Sequence, residues 1–383
     1  MNNWELIKLG DILTLEYGSG LKQDTRTGSG FPVVGSSGVI GYHSESLINA
    51  PGIVVGRKGT VGGLSFMKID FWPIDTAYFI KPKVQLDWKW LYYKLSMVNF
   101  KKLSLSDVVP GLKRELVYNI KINLPPVTEQ KAIAEILSTV DNAIKKSDET
   151  IARTEKIKRE MMNKLFAEGI GHKNFKETKI GKIPSDWEIL LAEDICVKVT
   201  DGTHDSPKPQ SEGKLLFTSK NIKRGNLVKE SAYLISEVEY IKANGRSKVD
   251  TFDVLFSMIG TIGESAIVFD SPVEFAIKNV GLFKLNGNAN LANWFYYYLN
   301  SQIANKYIKS NIKGTTQNYI TLDSLKNFPI VVPPESEKNK ITEILISIDK
   351  KLTYEFNRKQ KFINIKKILM NDLLTGIKRV KLN

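Results

Sequence analysis

Two kinds of hydrophobic pattern alternate along this chain. In residues 1–126 and again in 169–334, apolar positions come in short alternating or β-branched runs bounded by turn residues. Gly52-Ile53-Val54-Val55-Gly56 and Asp253-Val254-Leu255-Phe256-Ser257 are examples. Such runs predict short strands, so each stretch reads as an α+β domain of mainly antiparallel, curved strands with a few small helices. Trp88–Ser96 and Asn293–Ser301 instead place aromatics at helical spacing. They predict short amphipathic helices whose aromatic stripes belong to a core rather than to a base-stacking platform.

The segments 127–168 and 335–383 carry a heptad pattern. In the first, Ile133, Val140, Ser147, Thr154 and Met161 run beside Leu137, Ile144, Ile151, Lys158 and Leu165. In the second, Ile341, Ile348, Glu355, Phe362 and Leu369 run beside Leu345, Leu352, Lys359, Lys366 and Leu373. Both seams are apolar at their ends and polar towards the middle. The pattern predicts two long antiparallel helices packed as an intramolecular coiled coil. The expected packing positions are Ile133, Leu137, Val140, Ile144, Ile151, Leu165, Ile341, Leu345, Ile348, Leu352, Phe362 and Leu373. Two separate helices, each capping its own domain, is the alternative; a seam this long exceeds what one small domain covers. Thr128 is the expected N-cap of the first helix, with Glu129 in the first turn; Ser336 and Glu337 repeat the arrangement. Gly169 and Gly171 should end the first helix near Ala167, and a polar linker, His172–Lys182, should follow.

The chain is written twice. Trp4-Glu5-Leu6 returns as Trp187-Glu188-Ile189, and Gly59-Thr60-Val61-Gly62 as Gly260-Thr261-Ile262-Gly263. Trp90-Leu91-Tyr92-Tyr93 returns as Trp294-Phe295-Tyr296-Tyr297, and Leu124-Pro125-Pro126 as Val332-Pro333-Pro334. The offset between copies only rises along the chain, so the second copy carries insertions in its globular part. The expected plan is pseudo-two-fold: domain 1–126, helix 127–168, domain 169–334, helix 335–383.

Charge adds a partner to this plan. The 383 residues hold 55 Lys+Arg against 41 Asp+Glu, a net +14, which suits a polyanion such as nucleic acid. Residues 128–168 are neutral, with eight of each sign, so the excess lies elsewhere. An alternating, neutral helix suits protein partners better than phosphates. The single cysteine, Cys196, leaves no internal disulfide, and no apolar run is long enough for a bilayer or resembles a secretory signal. A cytoplasmic protein with no membrane contact is expected.

Catalytic chemistry is sparse. The chain has three histidines, His43, His172 and His204. No Asn-Pro-Pro-Tyr or Asp-Pro-Pro-Tyr motif and no nucleotide loop is present. Gly56-Arg57-Lys58-Gly59-Thr60-Val61-Gly62-Gly63 lacks Walker spacing, and its copy at 259–263 shares only the glycines, so a tight strand-to-strand turn is expected. Arg57 and Lys58 on it face either DNA or solvent. Asp201-Gly202-Thr203-His204-Asp205 with Glu212 and Lys214 faintly resembles a metal nuclease site, but these groups lie in a Ser/Pro/Gly-studded loop. The expectation is no metal site, and either a DNA-facing loop or an ordinary polar one.

Pro125-Pro126-Val127-Thr128-Glu129-Gln130-Lys131-Ala132-Ile133-Ala134-Glu135-Ile136-Leu137 and its copy at 333–345, Ile183-Pro184-x-x-Trp187-Glu188, Asp201-Gly202-Thr203-His204, Gly35–His43 and Gly56–Gly59 together carry a resemblance. Across essentially its whole length the chain resembles the specificity subunits of type I restriction–modification systems. That resemblance implies a non-catalytic subunit with two target-recognition domains, each reading half of a split double-stranded DNA site. It further implies helices that set the gap and dock methyltransferase subunits, two of them. Those partners bind S-adenosylmethionine, this chain needs no cofactor, and the assembly admits motor-nuclease subunits. The two glycine turns differ, so contacts do not transfer from one copy to the other. Side chains with paired hydrogen-bonding groups near loops are the candidate DNA contacts. In the first copy these are Lys22, Arg26, Tyr42, His43, Arg57, Lys58, Lys113 and Arg114. In the second they are Thr203, His204, Lys208, Lys220, Lys223, Arg224, Arg246, Lys313, Gln317 and Asn318. Most of the basic ones should meet phosphate and a minority bases. A stand-alone DNA-binding regulator and an autonomous nuclease or methyltransferase are the competing readings.

Overall fold

The computed structural model describes residues 4–103 and 111–380. The chain forms two compact units: residues 1–149 with 356–383, and residues 150–355. Each combines one globular part with the near half of its own long helix and the far half of the other.

In the N-terminal unit, four antiparallel strands run in the order Leu13–Tyr17, Ala77–Pro82, Gly52–Gly56, Leu64–Met67. A second sheet joins Gly38–His43, Phe31–Gly35 and Trp72–Pro73, the last pair parallel. The strand Glu5–Lys8 pairs with Lys121–Leu124, which delivers the chain to the long helix. The C-terminal unit repeats the plan with Lys198–Asp201, Val280–Lys284, Val254–Ser257 and Ser265–Ile267. Its second sheet joins Tyr233–Ile235, Lys214–Phe217 and Phe275–Ile277, and Glu188–Leu191 pairs with Pro329–Val332. The rising offset is accounted for by elements without a counterpart, among them the helix Glu237–Ser247 and the helix Gln302–Asn311.

The aromatic helices form the core of each unit. Trp90 is fully buried on the helix Trp88–Ser96, and Trp294, Phe295 and Tyr298 on the helix Ala289–Leu299. The second begins four residues before the sequence expectation because the Asn288 side chain caps it, accepting from the Leu291 N–H.

The long helices span Val127–Glu168 and Glu335–Thr375. At 1.5 Å per residue the first is about 63 Å long. Neither Thr128 nor Ser336 is the N-cap: the carbonyls of Pro126 and Pro334 accept the first helical N–H groups, from Gln130 and Lys338. The first turns are occupied by tertiary contacts instead. Glu129 accepts the Trp4 indole N–H at 2.9 Å and the Arg379 guanidinium at 2.6 and 2.7 Å. The guanidinium holds the carboxyl below the usual carboxylate range. In the other unit Glu337 accepts the Trp187 indole at 3.0 Å and lies 2.9 Å from the His172 ring. The first helix stops at Glu168 because Gly169 and Gly171 take positive φ, 64° and 78°. The stretch expected as a linker forms a hairpin, Phe175–Thr178 with Gly181–Pro184, closed by a positive-φ Gly181 and by the Thr178 hydroxyl donating to its carbonyl; it tucks Ile183 into the core.

Within each unit the two helix halves run antiparallel. Ile133 and Leu137 share the N-terminal core with Leu373, and Leu165, Ile341 and Leu345 lie in the C-terminal one. Ile151 and Leu352 are buried; Val140, Ile144, Ile348 and Phe362 are half-buried. Two seam positions that break the apolar pattern have a specific use. Lys366 pairs with Asp141 at 2.6 Å, and Asp141 also accepts the Tyr93 hydroxyl at 2.7 Å. In the C-terminal unit Lys158 pairs with Asp349 at 2.6 Å, and Asp349 accepts Tyr297 at 2.8 Å. One Tyr–Asp–Lys triad thus recurs in both units, linking the aromatic helix to both long helices.

Candidate nucleic-acid interface

The glycine turn of the N-terminal unit joins the antiparallel strands Gly52–Gly56 and Leu64–Met67, as its spacing predicts. Gly59 and Gly62 have φ of 73° and 74°, and a Cβ on Gly56 would sit 2.2 Å from the Thr60 carbonyl. Only glycine suits these positions. The turn is clamped from both sides: Lys58 bridges to Gly111, the Leu112 N–H donates to the Arg57 carbonyl at 2.9 Å, and the Arg57 and Lys58 N–H groups donate to Thr76. Arg57, Lys58, Lys113 and Arg114 are thereby brought to one edge.

The chemistry of that edge is a cation–aromatic cluster. The guanidinium carbons of Arg57 and Arg114 each lie 5.0 Å from the centre of the Tyr17 ring, itself half-exposed. Buried Tyr78 lies beneath, its ring 5.1 Å from Tyr17. Burial pushes the Tyr78 hydroxyl up to about 12, so it stays a neutral donor, here to the Leu112 carbonyl at 3.2 Å. Arg57 is held by the Asp75 carbonyl, at 3.1 Å from Nε and 2.6 Å from Nη2.

The other candidates of this unit divide. Lys22 and Tyr42 are exposed. Arg26 braces its own loop, donating to the Ile40 and Leu21 carbonyls. His43 is half-buried against the edge of Trp72.

In the C-terminal unit the turn at Gly260 and Gly263 keeps positive φ, 78° and 99°. The segment Lys313–Tyr319 closes on itself and lies beside the turn, with Tyr319 bridging to Ile259 and the Gly260 N–H reaching the Asn318 carbonyl. Lys313, Gln317 and Asn318 are exposed there. Asp201, 3% exposed, pairs with Arg246 and lies 3.0 Å from His204 Nε2, while His204 Nδ1 lies 2.9 Å from Asn279 Oδ1. These groups border a cavity of about 340 Å³ floored by Met258, Ile320 and Leu322. Lys220 is exposed next to Ser219, which donates to the Asn279 carbonyl. Lys208, Lys223 and Arg224 are exposed; Thr203 is half-buried, its N–H donating to the Ile277 carbonyl.

Sequence reading missed Tyr17, Asp201 as a brace, and Asn279. Asn279 carries a signal only in its backbone, a φ of 52° that asparagine tolerates. The faint nuclease pattern does not assemble: Asp201 is taken by Arg246, Asp205 by Lys242 at 2.9 Å, and Lys214 by Glu274 at 2.8 Å. Among the described residues, His172, Asp186 and Glu337 come together with metal-like spacing. The two ring nitrogens face different carboxylates there, Asp186 at 3.3 Å and Glu337 at 2.9 Å. The ring occupies the place beside Glu337 that Arg379 has beside Glu129, so a structural brace explains it. Cys196 is buried, which pushes its thiol up and keeps it unreactive. No helix among the described residues is long and apolar enough to cross a membrane.

Comparison with known proteins agrees with the repeat. The type I restriction modification DNA specificity domain matches residues 1–179 and again 184–364. The specificity subunit of the type I restriction enzyme MjaVIII of Methanocaldococcus jannaschii is 27% identical over 410 residues, covering 99% of this chain and 94% of that protein. The putative MjaX specificity subunit of the same organism is 33% identical over 274 residues, 69% of this chain and 60% of that one. The crystal structure of the S subunit from M. genitalium superposes with a TM-score of 0.63 at 14% identity, covering 100% of this chain and 97% of the other. A second structure, described in work on assembly and conformational transition of the type I R-M system, gives 0.59 at 14% identity with 98% of both chains covered. With its domain matched twice along the chain, this protein belongs to the type I restriction–modification DNA specificity family and is a non-catalytic specificity subunit.

Proposed function

We propose that each unit reads one half of a bipartite double-stranded DNA site, with 1–126 and 169–334 as target-recognition domains and 127–168 and 335–383 as spacer helices. The observation that carries this is the recurrence, in two chemically different versions, of a glycine-held edge with exposed basic and amide side chains. A rigid edge fixes where donors and acceptors stand, and different side chains on it read different bases. Two unlike readers in one chain suit an asymmetric site, which a homodimer cannot read. The exposed basic candidates serve phosphate and base contacts together.

Methyltransferase subunits, two in number, dock on the long helices and supply S-adenosylmethionine and the adenine chemistry; motor-nuclease subunits join them where present. The surface of the first helix supports this, since its charges balance and Lys145–Glu149 and Lys156–Glu160 are exposed self-neutralising pairs. The work is done in the cytoplasm. The test is to reconstitute the chain with its methyltransferase and measure methylation of duplexes with one or both half-sites. Methylation that needs both half-sites in one duplex supports the reading. Tight specific binding by the chain alone, unaffected by methyltransferase, would instead favour a regulator.

A further inference from the structure

Hydrogen bonding matches the two units position by position around the glycine turn. The Gly18 N–H donates to Ala77 as Gly202 does to Val280, Gly56 to Gly63 as Ser257 does to Glu264, and Leu112 to Arg57 as Ile320 does to Met258. Tyr17 therefore corresponds to Asp201, Arg57 to Met258, and Arg114 to Leu322. One place in the fold holds two guanidiniums on a tyrosine in one unit, and a braced carboxylate beside an apolar floor in the other. Core packing alone would not exchange two guanidiniums for hydrocarbon at one shared position. A change of ligand chemistry would.

Within the N-terminal cluster the two arginines are not equivalent. Arg57 is tied to the Asp75 carbonyl by Nε and Nη2. Arg114 is different: among the described residues its Nη1 and Nη2 make no hydrogen bond, and its one ion pair, Nε to exposed Glu115, is long at 3.6 Å. Its guanidinium carbon lies 5.0 Å over the Tyr17 ring, and its backbone is held in the first turn of the helix Arg114–Tyr118. A guanidinium held over an aromatic ring, with no hydrogen bond to its fork among the described residues, loses little entropy on binding and matches the O6/N7 edge of guanine.

We propose that Arg114 is a guanine-reading side chain of the N-terminal half-site, with Tyr17 as its positioning residue. Leu322, in the corresponding place of the C-terminal unit, has no such fork, which confines this reading to the N-terminal half-site. The inference rests on the bipartite reading above and deepens it to one base pair.

The experiment is methylation sequencing of DNA from cells expressing the methyltransferase with wild-type chain, Arg114→Ala, Arg114→Lys, Tyr17→Phe or Tyr17→Ala. A bidentate contact to guanine is worth roughly a ten- to hundred-fold preference over other bases. Arg114→Ala should lose that preference at one position of one half-site and leave the other half-site unchanged. Arg114→Lys keeps the charge without the fork and should not restore it; Tyr17→Phe should keep the preference and Tyr17→Ala should lose it. An unaltered motif in Arg114→Ala, or full rescue by lysine, overturns the proposal. Degeneracy at a position where the wild type does not select guanine overturns it equally. The intact half-site reports that each variant folds and assembles. A wild-type chain that yields no bipartite motif would sink the underlying reading instead.

Discussion

At the scale of single residues, the buried carboxylate at the start of the first helix makes a sharp prediction. Glu129 is held below the usual carboxylate range chiefly by Arg379. A depressed folded value means its contribution is present above the unfolded value of about 4.3 and is lost as pH falls through the folded one. Urea midpoints of the wild type should therefore decline from about pH 5 downwards more steeply than those of Glu129→Gln. Parallel declines would remove the carboxylate from the account. Lys58 makes a contrasting prediction, being exposed on the glycine turn with no acidic partner among the described residues. Lys58→Ala should weaken DNA binding of the assembled complex about equally for all sequences and lower the slope of log affinity against log salt by about 1. A sequence-selective loss would make Lys58 a base contact.

The lysines at seam positions show what a sequence does and does not reveal at the scale of elements. Heptad spacing located the long helices, and Gly169 and Gly171 the end of the first, because apolar periodicity and terminal glycines are local signals; the second stops at Thr375, short of the expected 383. The triad roles of Lys158 and Lys366 were not legible, since each partner aspartate and tyrosine lies far along the chain. The hairpin at Phe175–Pro184 escaped for the opposite reason: its composition is polar, and only the packing of Ile183 beside the Trp187 core makes it a strand pair. At the edge, Arg57 and Arg114 were visible as basic residues near turns, but Tyr17, whose ring lies 5.0 Å from both guanidinium carbons, carries no sequence signal of its own. Because they fix which turns of the two helices meet, the triads should act as register keys. Asp349→Lys should destabilise the chain, and Lys158→Asp added to it should recover part of the loss. A coupling of about 1 kcal/mol is expected for a half-exposed pair. Additive losses in chemical denaturation would show that the seam hydrophobics alone set the register. Leu137→Ala and Leu345→Ala, each emptying a fully buried position of its own unit, should cost about 2–5 kcal/mol apiece. Losses under 1 kcal/mol in the same experiment would contradict the helix packing.

For the whole molecule, duplication explains both the similarity and the difference between the units. The shared elements, the aromatic helix, the indole–carboxylate contact and the triad, maintain the scaffold and recur with conservative changes. The glycine-held edges diverge, with Arg57 and Arg114 in one unit against Met258 and Leu322 in the other. A protein that must read two unlike half-sites with one scaffold is expected to vary there and to remain constant elsewhere. The most direct test of that claim is single-molecule methylation sequencing of DNA from cells carrying the partner methyltransferase, with and without this chain. A bipartite adenine-methylated motif with two unlike halves, present only when the chain is expressed, is the predicted result. A motif that is independent of the chain, or that has two identical halves, would contradict it.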